Sequence, residues 1–239
     1  MELQDRIALV TGGAHRVGRA LALALARAGC DVAVHYNRSG DDADRTVRDI
    51  EALGRRAFPV QADLGDADSA GPLIEESVLA LGALDILVNS ASLFERAAVA
   101  DIDVEAWDRV QAVNVRAPFL LSRAAAPHLA RRRGSIVNIA DLSALQPWPS
   151  YAHHAVSKAG LVHLTRVLAR ALAPEIRVNA IAPGTVLPPE DGNAEEGHQR
   201  RLLDVQGSPQ DVERALLYLA TSPFVTGQVL VVDGGRILL

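Results

Sequence analysis

Three side chains in the segment YAHHAVSK, residues 151–158, have the types and the spacing of a catalytic set. Tyr151, His154 and Lys158 are three and four residues apart, so a helix places them on one face. A histidine has a pKa of about 6.5 and can donate or accept a proton at neutral pH. A carboxylate such as Asp141 would favour its charged form, whereas Lys158 would favour the neutral ring. The pattern favours proton transfer by His154, with Tyr151 as a wall of the pocket. Tyr151 would be the alternative donor only if the substrate lay about one helical turn away.

A glycine-rich turn, TGGAHRVG at 11–18, stands between a strand-like run and a run rich in alanine and leucine. A tight turn in this position lets backbone N–H groups and the start of a helix face a pyrophosphate. We therefore expect Gly12, Val17 and Gly18 to contact a dinucleotide. Arg16 would add a cation beside the phosphates.

The second strand-like run ends in HYNRS, which carries His35, Arg38 and Ser39 where an acidic residue would bind the ribose hydroxyls of NAD. Cations and a hydroxyl group suit a 2′-phosphate, because a guanidinium matches phosphate geometry. This segment predicts NADPH as the cofactor in preference to NADH. After the third run, Asp63 and its neighbour Leu64 are expected near the adenine.

These residues need a scaffold that brings the ends of several strands together. Short β-branched runs alternate with longer amphipathic runs, which predicts one α/β domain over 1–239 with a doubly wound parallel sheet and helices on both faces. About seven strands are expected, at 6–11, 31–36, 55–61, 85–89, 135–140, 177–182 and 228–233. Helices are expected near 16–28, 41–53, 67–81, 104–130, 151–172 and 209–220.

Composition narrows the function classes. The 239-residue chain is 49% hydrophobic with a net charge of −5, which gives no electrostatic reason to expect nucleic acid or a membrane surface as a partner. No apolar run has the length of a membrane span, the first residues lack a signal-peptide pattern, and no histidine spacing predicts a metal site. Cys30 is the only cysteine, so we expect it in the core of a cytoplasmic protein.

The segment PGTVLPPEDGNAEEG, 183–197, is rich in proline, glycine and acidic residues. A loop of this length inside a compact domain is usually functional, so it predicts a lid over the site. A disordered surface excursion is the alternative.

In their order along the chain, TGGAHRVG, LVNSAS, Asn114, Lys158, Pro183-Gly184 and VDGG resemble the motifs of the short-chain dehydrogenase/reductase family. Arg16, HYNRS, Phe94, Asp141 and GQVLVVDGGR resemble its pteridine reductase and dihydromonapterin reductase branch. The resemblance covers essentially the whole chain. It implies an NADPH-dependent Rossmann protein, usually a homotetramer, that delivers hydride to a C=N or C=O bond of a flat substrate such as a dihydropterin.

The resemblance also implies roles for single residues. Asp141 takes the place of the family's catalytic serine, Lys158 would hold the nicotinamide ribose, and Asn114 would hold a proton-relay water. His154 stands where the family has its catalytic tyrosine. The remaining cofactor contacts would be Asn89, Ser90, Ala91, Pro183 and Gly184, and the substrate contacts Ser92, Phe94, Tyr151 and Leu187.

Two features leave the activity open between alternatives. The first is His154 in place of tyrosine, and the second is a substrate loop at about 185–208 that is shorter than expected. Both features would also fit a non-redox enzyme that performs dehydration or isomerisation. They would equally fit a non-catalytic NADPH-binding sensor or partner subunit. Lys158 is the only lysine among 24 basic residues, at the one position where a compact ammonium is needed. This observation favours a retained cofactor contact.

Overall fold

The computed structural model describes residues 2–187 and 201–239. They form one seven-stranded parallel sheet in the order β3-β2-β1-β4-β5-β6-β7. The strands are β1 Ile7–Val10, β2 Asp31–Tyr36, β3 Ala57–Gln61, β4 Ile86–Asn89, β5 Ser135–Ile139, β6 Arg177–Pro183 and β7 Val229–Val232. The α-helices are α1 Arg16–Arg27, α2 Gly40–Ala52, α3 Ala70–Leu81, α4 Val104–Gln111, α5 Ala117–Arg132, α6 Ala152–Ala171 and α7 Pro209–Thr221. The predicted Rossmann-type fold is confirmed.

The sheet is buried on both faces, as its continuous apolar strands require. Successive side chains of β1 point to opposite faces, so Ala8 and Val10 belong to one core cluster and Ile7 and Leu9 to the other. The first cluster includes residues of α1, α2 and α7, and the second residues of α3 and α5. Cys30 is fully buried in the first cluster, as predicted, and burial raises the pKa of its thiol to about 12.

The strand order fixes where a ligand can bind. β1 lies between β2 and β4, and the connections leave these central strands in opposite directions. In such sheets the crevice at the carboxyl ends of the strands, at this reversal, is the binding site. The turn after β1 and the segments after β4, β5 and β6 therefore meet at one edge.

The helix predicted over 104–130 is interrupted. Between α4 and α5 the chain forms a π-helical turn, Ala112–Arg116, with Asn114 at its centre. Periodicity did not predict this turn, since it accommodates one extra residue without breaking the helical pattern. The buried asparagine therefore lies on irregular helix, a place where functional residues often occur.

Two further predictions concern the loop at 183–197 and membrane-spanning helices. The predicted lid at 183–197 lies mostly outside the described residues, of which Leu187 is the last before the gap. No helix within the described ranges is long and apolar enough to cross a membrane.

Candidate active site

The turn after β1 can be built only from glycine at two positions. Gly12 has a φ of +62°, and a Cβ there would lie 3.0 Å from the Cα of Ala91. A Cβ on Gly18 would lie 2.1 Å from the carbonyl oxygen of Gly12, so α1 packs directly on the turn. Glycine at these positions therefore lets the turn pack closely against the segment after β4 and against α1, as a dinucleotide-binding turn requires. The turn thus fits the phosphates of a dinucleotide.

Thr11 joins this turn to the segment after β4. Its hydroxyl oxygen accepts hydrogen bonds from the N–H groups of Ser90 (2.9 Å) and Ala91 (3.1 Å). The hydroxyl also lies 3.3 Å from the carbonyl oxygen of Val88, to which it donates. Sequence reasoning missed this residue, although the threonine that opens TGG marked it. Thr11 places Ser90 and Ala91 beside the turn, next to the predicted cofactor site.

His35 is buried and does not line the predicted 2′-phosphate site. Its side chain is buried beneath the turn, where Nδ1 accepts from the N–H of Gly12 and Nε2 donates to the carbonyl of Ala62. Burial lowers the pKa of His35 to about 4. The expectation that it adds a cation beside a 2′-phosphate is therefore wrong, because the buried ring is neutral at physiological pH. It supports the turn from below.

The remaining predicted groups at this end of the site separate into exposed and buried sets. Arg16, Arg38 and Asp63 are exposed and Ser39 is half-buried, so their side chains are accessible to a ligand. Leu64 is 5% exposed and packs in the core, so its side chain cannot contact a cofactor and only its backbone remains available.

Asn89 faces the neighbouring strand. Its amide nitrogen donates to Oδ1 of Asn138 at 2.8 Å, and Asn138 in turn donates to Oγ1 of Thr165 at 2.9 Å. All three side chains are buried. Asn89 therefore holds β4 to β5 and α6, and supports the following Ser90 and Ala91 indirectly.

The central feature of the site is the pair of His154 and Asp141. Nε2 of His154, at the start of α6, lies 2.6 Å from Oδ2 of Asp141, which follows β5. The other ring nitrogen, Nδ1, lies 2.8 Å from the carbonyl oxygen of Leu93. The second carboxylate oxygen of Asp141 accepts from the N–H and the hydroxyl group of Ser143. The structure thus brings together the two predicted acid–base residues.

Both nitrogens of His154 face oxygen acceptors, which decides how protons are placed. The carbonyl of Leu93 can only accept, so Nδ1 carries a hydrogen. Between Nε2 and Asp141 there is one further proton. Burial raises the pKa of Asp141, but the hydrogen bond from His154 and the charges of His154 and Lys158 outweigh it, so the pKa lies below its usual value. Asp141 is therefore the acceptor of this hydrogen bond, and Nε2 of His154 is its donor.

Asn114 fixes the backbone that holds His154. Its Oδ1 accepts from the N–H of Leu93 at 2.8 Å, and its Nδ2 donates to the Leu93 carbonyl at 3.0 Å and to Oγ of Ser157 at 2.9 Å. The Leu93 carbonyl thus accepts from both Asn114 and His154. Asn114 acts here by positioning other groups, and sequence reasoning missed Leu93 because only its backbone takes part.

Lys158 lies one helical turn beyond His154 and is 3% exposed. Its ammonium group donates to the carbonyl of Ile139 at 2.8 Å. Burial lowers the pKa of Lys158, and the negative charge of Asp141 opposes that shift.

The predicted Pro183-Gly184 turn packs against the VDGG segment, because a Cβ on Gly184 would lie 3.0 Å from Asp233.

Aromatic rings form the wall beside the pair. Phe94 stacks on Tyr151 with ring centroids 4.4 Å apart, and its edge lies against the ring of His154 at 4.7 Å. Phe94 is 53% exposed whereas Tyr151 is buried, so the outer face of Phe94 is open. Tyr151, predicted as a wall of the pocket, lies behind the more exposed Phe94. Ser92 is exposed nearby in sequence, and Leu187 is half-buried.

The sequence matches the family model described as Enoyl-(Acyl carrier protein) reductase over residues 12–236. It is 34% identical over 243 aligned positions to a 3-oxoacyl-[acyl-carrier-protein] reductase from Synechocystis, covering 99% of this chain and 98% of that protein. It is 36% identical to 3beta-hydroxysteroid dehydrogenase 1 of Eggerthella lenta, covering 99% of this chain and 95% of that protein.

Two similar solved structures contain a bound nucleotide. A short chain dehydrogenase from Burkholderia cenocepacia in complex with NADP has 37% identity and a TM-score of 0.93, with 99% of each chain covered. FolM Alternative dihydrofolate reductase 1 from Brucella canis, complexed with NADP, has 36% identity and a TM-score of 0.91, covering 100% of this chain and 97% of that one.

Proposed function

The chain belongs to the short-chain dehydrogenase/reductase family, and within it we propose that this NADPH-dependent oxidoreductase reduces a C=N bond of a dihydropterin. NADPH supplies the hydride. One observation carries the proposal: the open face of Phe94 stands beside an Asp141–His154 pair that holds one transferable proton. A flat heteroaromatic ring stacked on that face would bring a ring nitrogen to the pair.

We expect the proton to leave through Asp141. The side chain of His154 is 1% exposed, whereas that of Asp141 is 20% exposed, so the carboxylate is the member that a substrate can touch. As the substrate nitrogen gains basicity, the proton on Nε2 moves to Asp141 and from Asp141 to the substrate nitrogen, so that the carboxylate ends unprotonated. His154 keeps the hydrogen on Nδ1, which is bonded to the Leu93 carbonyl. His154 is thus the proton store, and Asp141 transfers the proton to the substrate.

The cofactor contacts are proposed on the same basis. Lys158 would hold the nicotinamide ribose through its compact ammonium, and Pro183-Gly184 would line the nicotinamide. The phosphates would lie on Gly12, Val17 and Gly18. The further contacts proposed are Arg16, Arg38, Ser39, Asp63, Ser90 and Ala91, with Ser92 and Leu187 on the substrate side.

A second candidate is the C=O group of a 3-oxoacyl substrate, favoured by the identity with 3-oxoacyl-[acyl-carrier-protein] reductases. The same pair would protonate the carbonyl oxygen. An acyl chain offers no ring to stack on Phe94, so Phe94→Ala separates the candidates. It should weaken turnover of a dihydropterin at least 5-fold, by loss of about 1 kcal/mol of stacking, and leave 3-oxoacyl turnover nearly unchanged.

The deciding experiment follows NADPH oxidation with dihydropterins and a 3-oxoacyl thioester from pH 5 to 8. We expect wild-type turnover of the dihydropterin and a loss of roughly 100- to 10,000-fold in both Asp141→Asn and His154→Phe, the range for removing a general acid. Asp44→Asn, an exposed carboxylate on α2, is the matched control. Turnover by His154→Tyr alone would contradict the proposal and direct attention to dehydration or isomerisation.

We also propose a homotetramer in the cytoplasm. The outer side of α4 and α5 carries a groove of about 570 Å³ that includes Val115, Phe119 and Leu164 and none of the proposed catalytic residues. Phe119 is 42% exposed there, which is the kind of apolar surface that a second copy covers. Sedimentation equilibrium measures the assembly, and Phe119→Asp should dissociate it.

A further inference from the structure

An arginine outside the proposed catalytic set stands at the far end of the aromatic wall. The guanidinium carbon of Arg236 lies 5.2 Å from the ring centroid of Trp148. Trp148 contacts Tyr151 edge to face at 6.1 Å, and Tyr151 stacks on Phe94. A continuous row of contacting side chains therefore connects Phe94, beside Asp141 and His154, with the guanidinium of Arg236.

The C-terminal segment holds Arg236 in this place. Gly234 and Gly235 have φ values of +66° and +82°, and they turn the chain into the short 3₁₀ helix Arg236–Leu238. The Gly234 carbonyl accepts from the N–H groups of Leu202 and Leu203, and a Cβ on Gly235 would lie 3.0 Å from Leu202. The position of Arg236 is thus coupled to the chain that returns from the predicted substrate loop.

The nearby carboxylate of Asp233 makes hydrogen bonds to backbone N–H groups and does not pair with Arg236. The two oxygens of Asp233 accept from the N–H groups of Gly235 (2.8 Å) and Ile237 (2.7 Å). Within the described ranges no carboxylate makes an ion pair with Arg236, and its one hydrogen bond is a long one, 3.4 Å to the hydroxyl of Thr185. Burial lowers the pKa of Arg236, against the opposing charges of Asp233 and Asp141. A half-buried guanidinium in this state gains from an added anion.

We propose that Arg236 binds a carboxylate on the substrate and selects acidic flat substrates over neutral ones. The inference rests on the proposed function for the flat ring, but the anion site stands on its own contacts. Among dihydropterins, the preferred substrate would carry an acidic substituent, as dihydrofolate does. A dihydropterin with a neutral side chain, such as dihydrobiopterin, would bind less tightly. A guanidinium and a carboxylate pair in a bidentate geometry that a lysine does not reproduce.

The test uses Trp148 as its own reporter. The chain has two tryptophans, so Trp107→Phe leaves Trp148 as the only one, in contact with Arg236. In this background, with NADPH bound, fluorescence titrations give dissociation constants for dihydrofolate and dihydrobiopterin. We expect Arg236→Gln to weaken dihydrofolate binding roughly 10- to 100-fold and dihydrobiopterin binding less than 2-fold. Arg236→Lys should recover only part, and the surface change Arg214→Gln should have no effect.

A second pair of probes separates this inference from the proposed function. These are 4-carboxybenzaldehyde and methyl 4-formylbenzoate, an acid and its neutral ester. If neither pterin binds but the acid binds in an Arg236-dependent manner, the pterin proposal fails and the anion site stands. If the pterins bind and Arg236→Gln weakens both equally or neither, the anion site is overturned and the pterin proposal stands. The anion site is also overturned if Arg236→Gln binds both 4-carboxybenzaldehyde and dihydrofolate as tightly as the parent protein does.

Discussion

The N–H of Gly12 donates a hydrogen bond of 3.0 Å to Nδ1 of His35, so a buried ring orients the first amide of the phosphate turn. The opposite nitrogen of the ring lies 3.1 Å from the Ala62 carbonyl, to which it donates. This arrangement requires one tautomer of the neutral ring, with its hydrogen on Nε2. The turn after β1 therefore depends on the protonation state of a residue on β2.

This dependence predicts how stability changes with pH. The folded-state pKa of His35 is about 4, below the ordinary value of 6.5, so its contribution is fully present above pH 6.5 and is lost as pH falls towards 4. At about 1.4 kcal/mol per pH unit, the loss amounts to about 3 kcal/mol. Urea unfolding between pH 4.5 and 7.5 should show a shallower slope in His35→Asn than in wild type.

The matched control for that measurement is His163→Asn, at an exposed position on α6, which should keep the wild-type slope. Equal slopes in wild type and His35→Asn would show that the buried ring does not carry the pH dependence.

Two glycine-to-alanine changes should act in opposite directions. Gly18→Ala puts a Cβ 2.1 Å from the Gly12 carbonyl oxygen, so the turn must shift and NADPH binding should be lost. Gly71→Ala, in the first turn of α3, meets open space and should raise the free energy of unfolding by about 0.5–1 kcal/mol. Thermal unfolding with and without NADPH measures both effects. NADPH stabilisation of Gly18→Ala equal to that of wild type would refute this account of the turn.

The preference for NADPH over NADH should depend on Arg38. Arg38→Ala removes a guanidinium expected to bind the 2′-phosphate, and we expect the dissociation constant for NADPH to rise roughly 10- to 100-fold with that for NADH unchanged. Isothermal titration with both nucleotides tests this. Arg45→Ala, at a surface arginine of α2 that pairs with Asp42, is the control. A parallel weakening of both nucleotides would assign Arg38 a structural role.

The sequence predicted the seven strands to within two residues at each end, because each buried parallel strand is a short apolar run rich in β-branched residues that alternates with a longer amphipathic run. The spacing of His154 and Lys158, and the acid at Asp141, likewise predicted groups that the fold brings together.

Other parts of the site depend on contacts that residue types do not reveal. His35 lies beneath the turn because β2 points its side chain inward there, a register that the sequence HYNRS does not show. The Leu93 carbonyl is a backbone group, so its side chain gives no sign of its role. Arg236 reaches the aromatic wall only through two left-handed glycines near the C-terminus.

The π turn at 112–116 sets the rotational phase between two halves of one helix. One extra residue rotates everything beyond it by about 100° around the helix axis. With it, Val110 before the turn and Leu121 beyond it are both buried while Asn114 reaches Leu93. A chain shortened by one residue here would have to give up either the packing of α5 or the clamp on the backbone beside His154. Catalytic geometry and core packing are therefore held in register by a single additional amino acid.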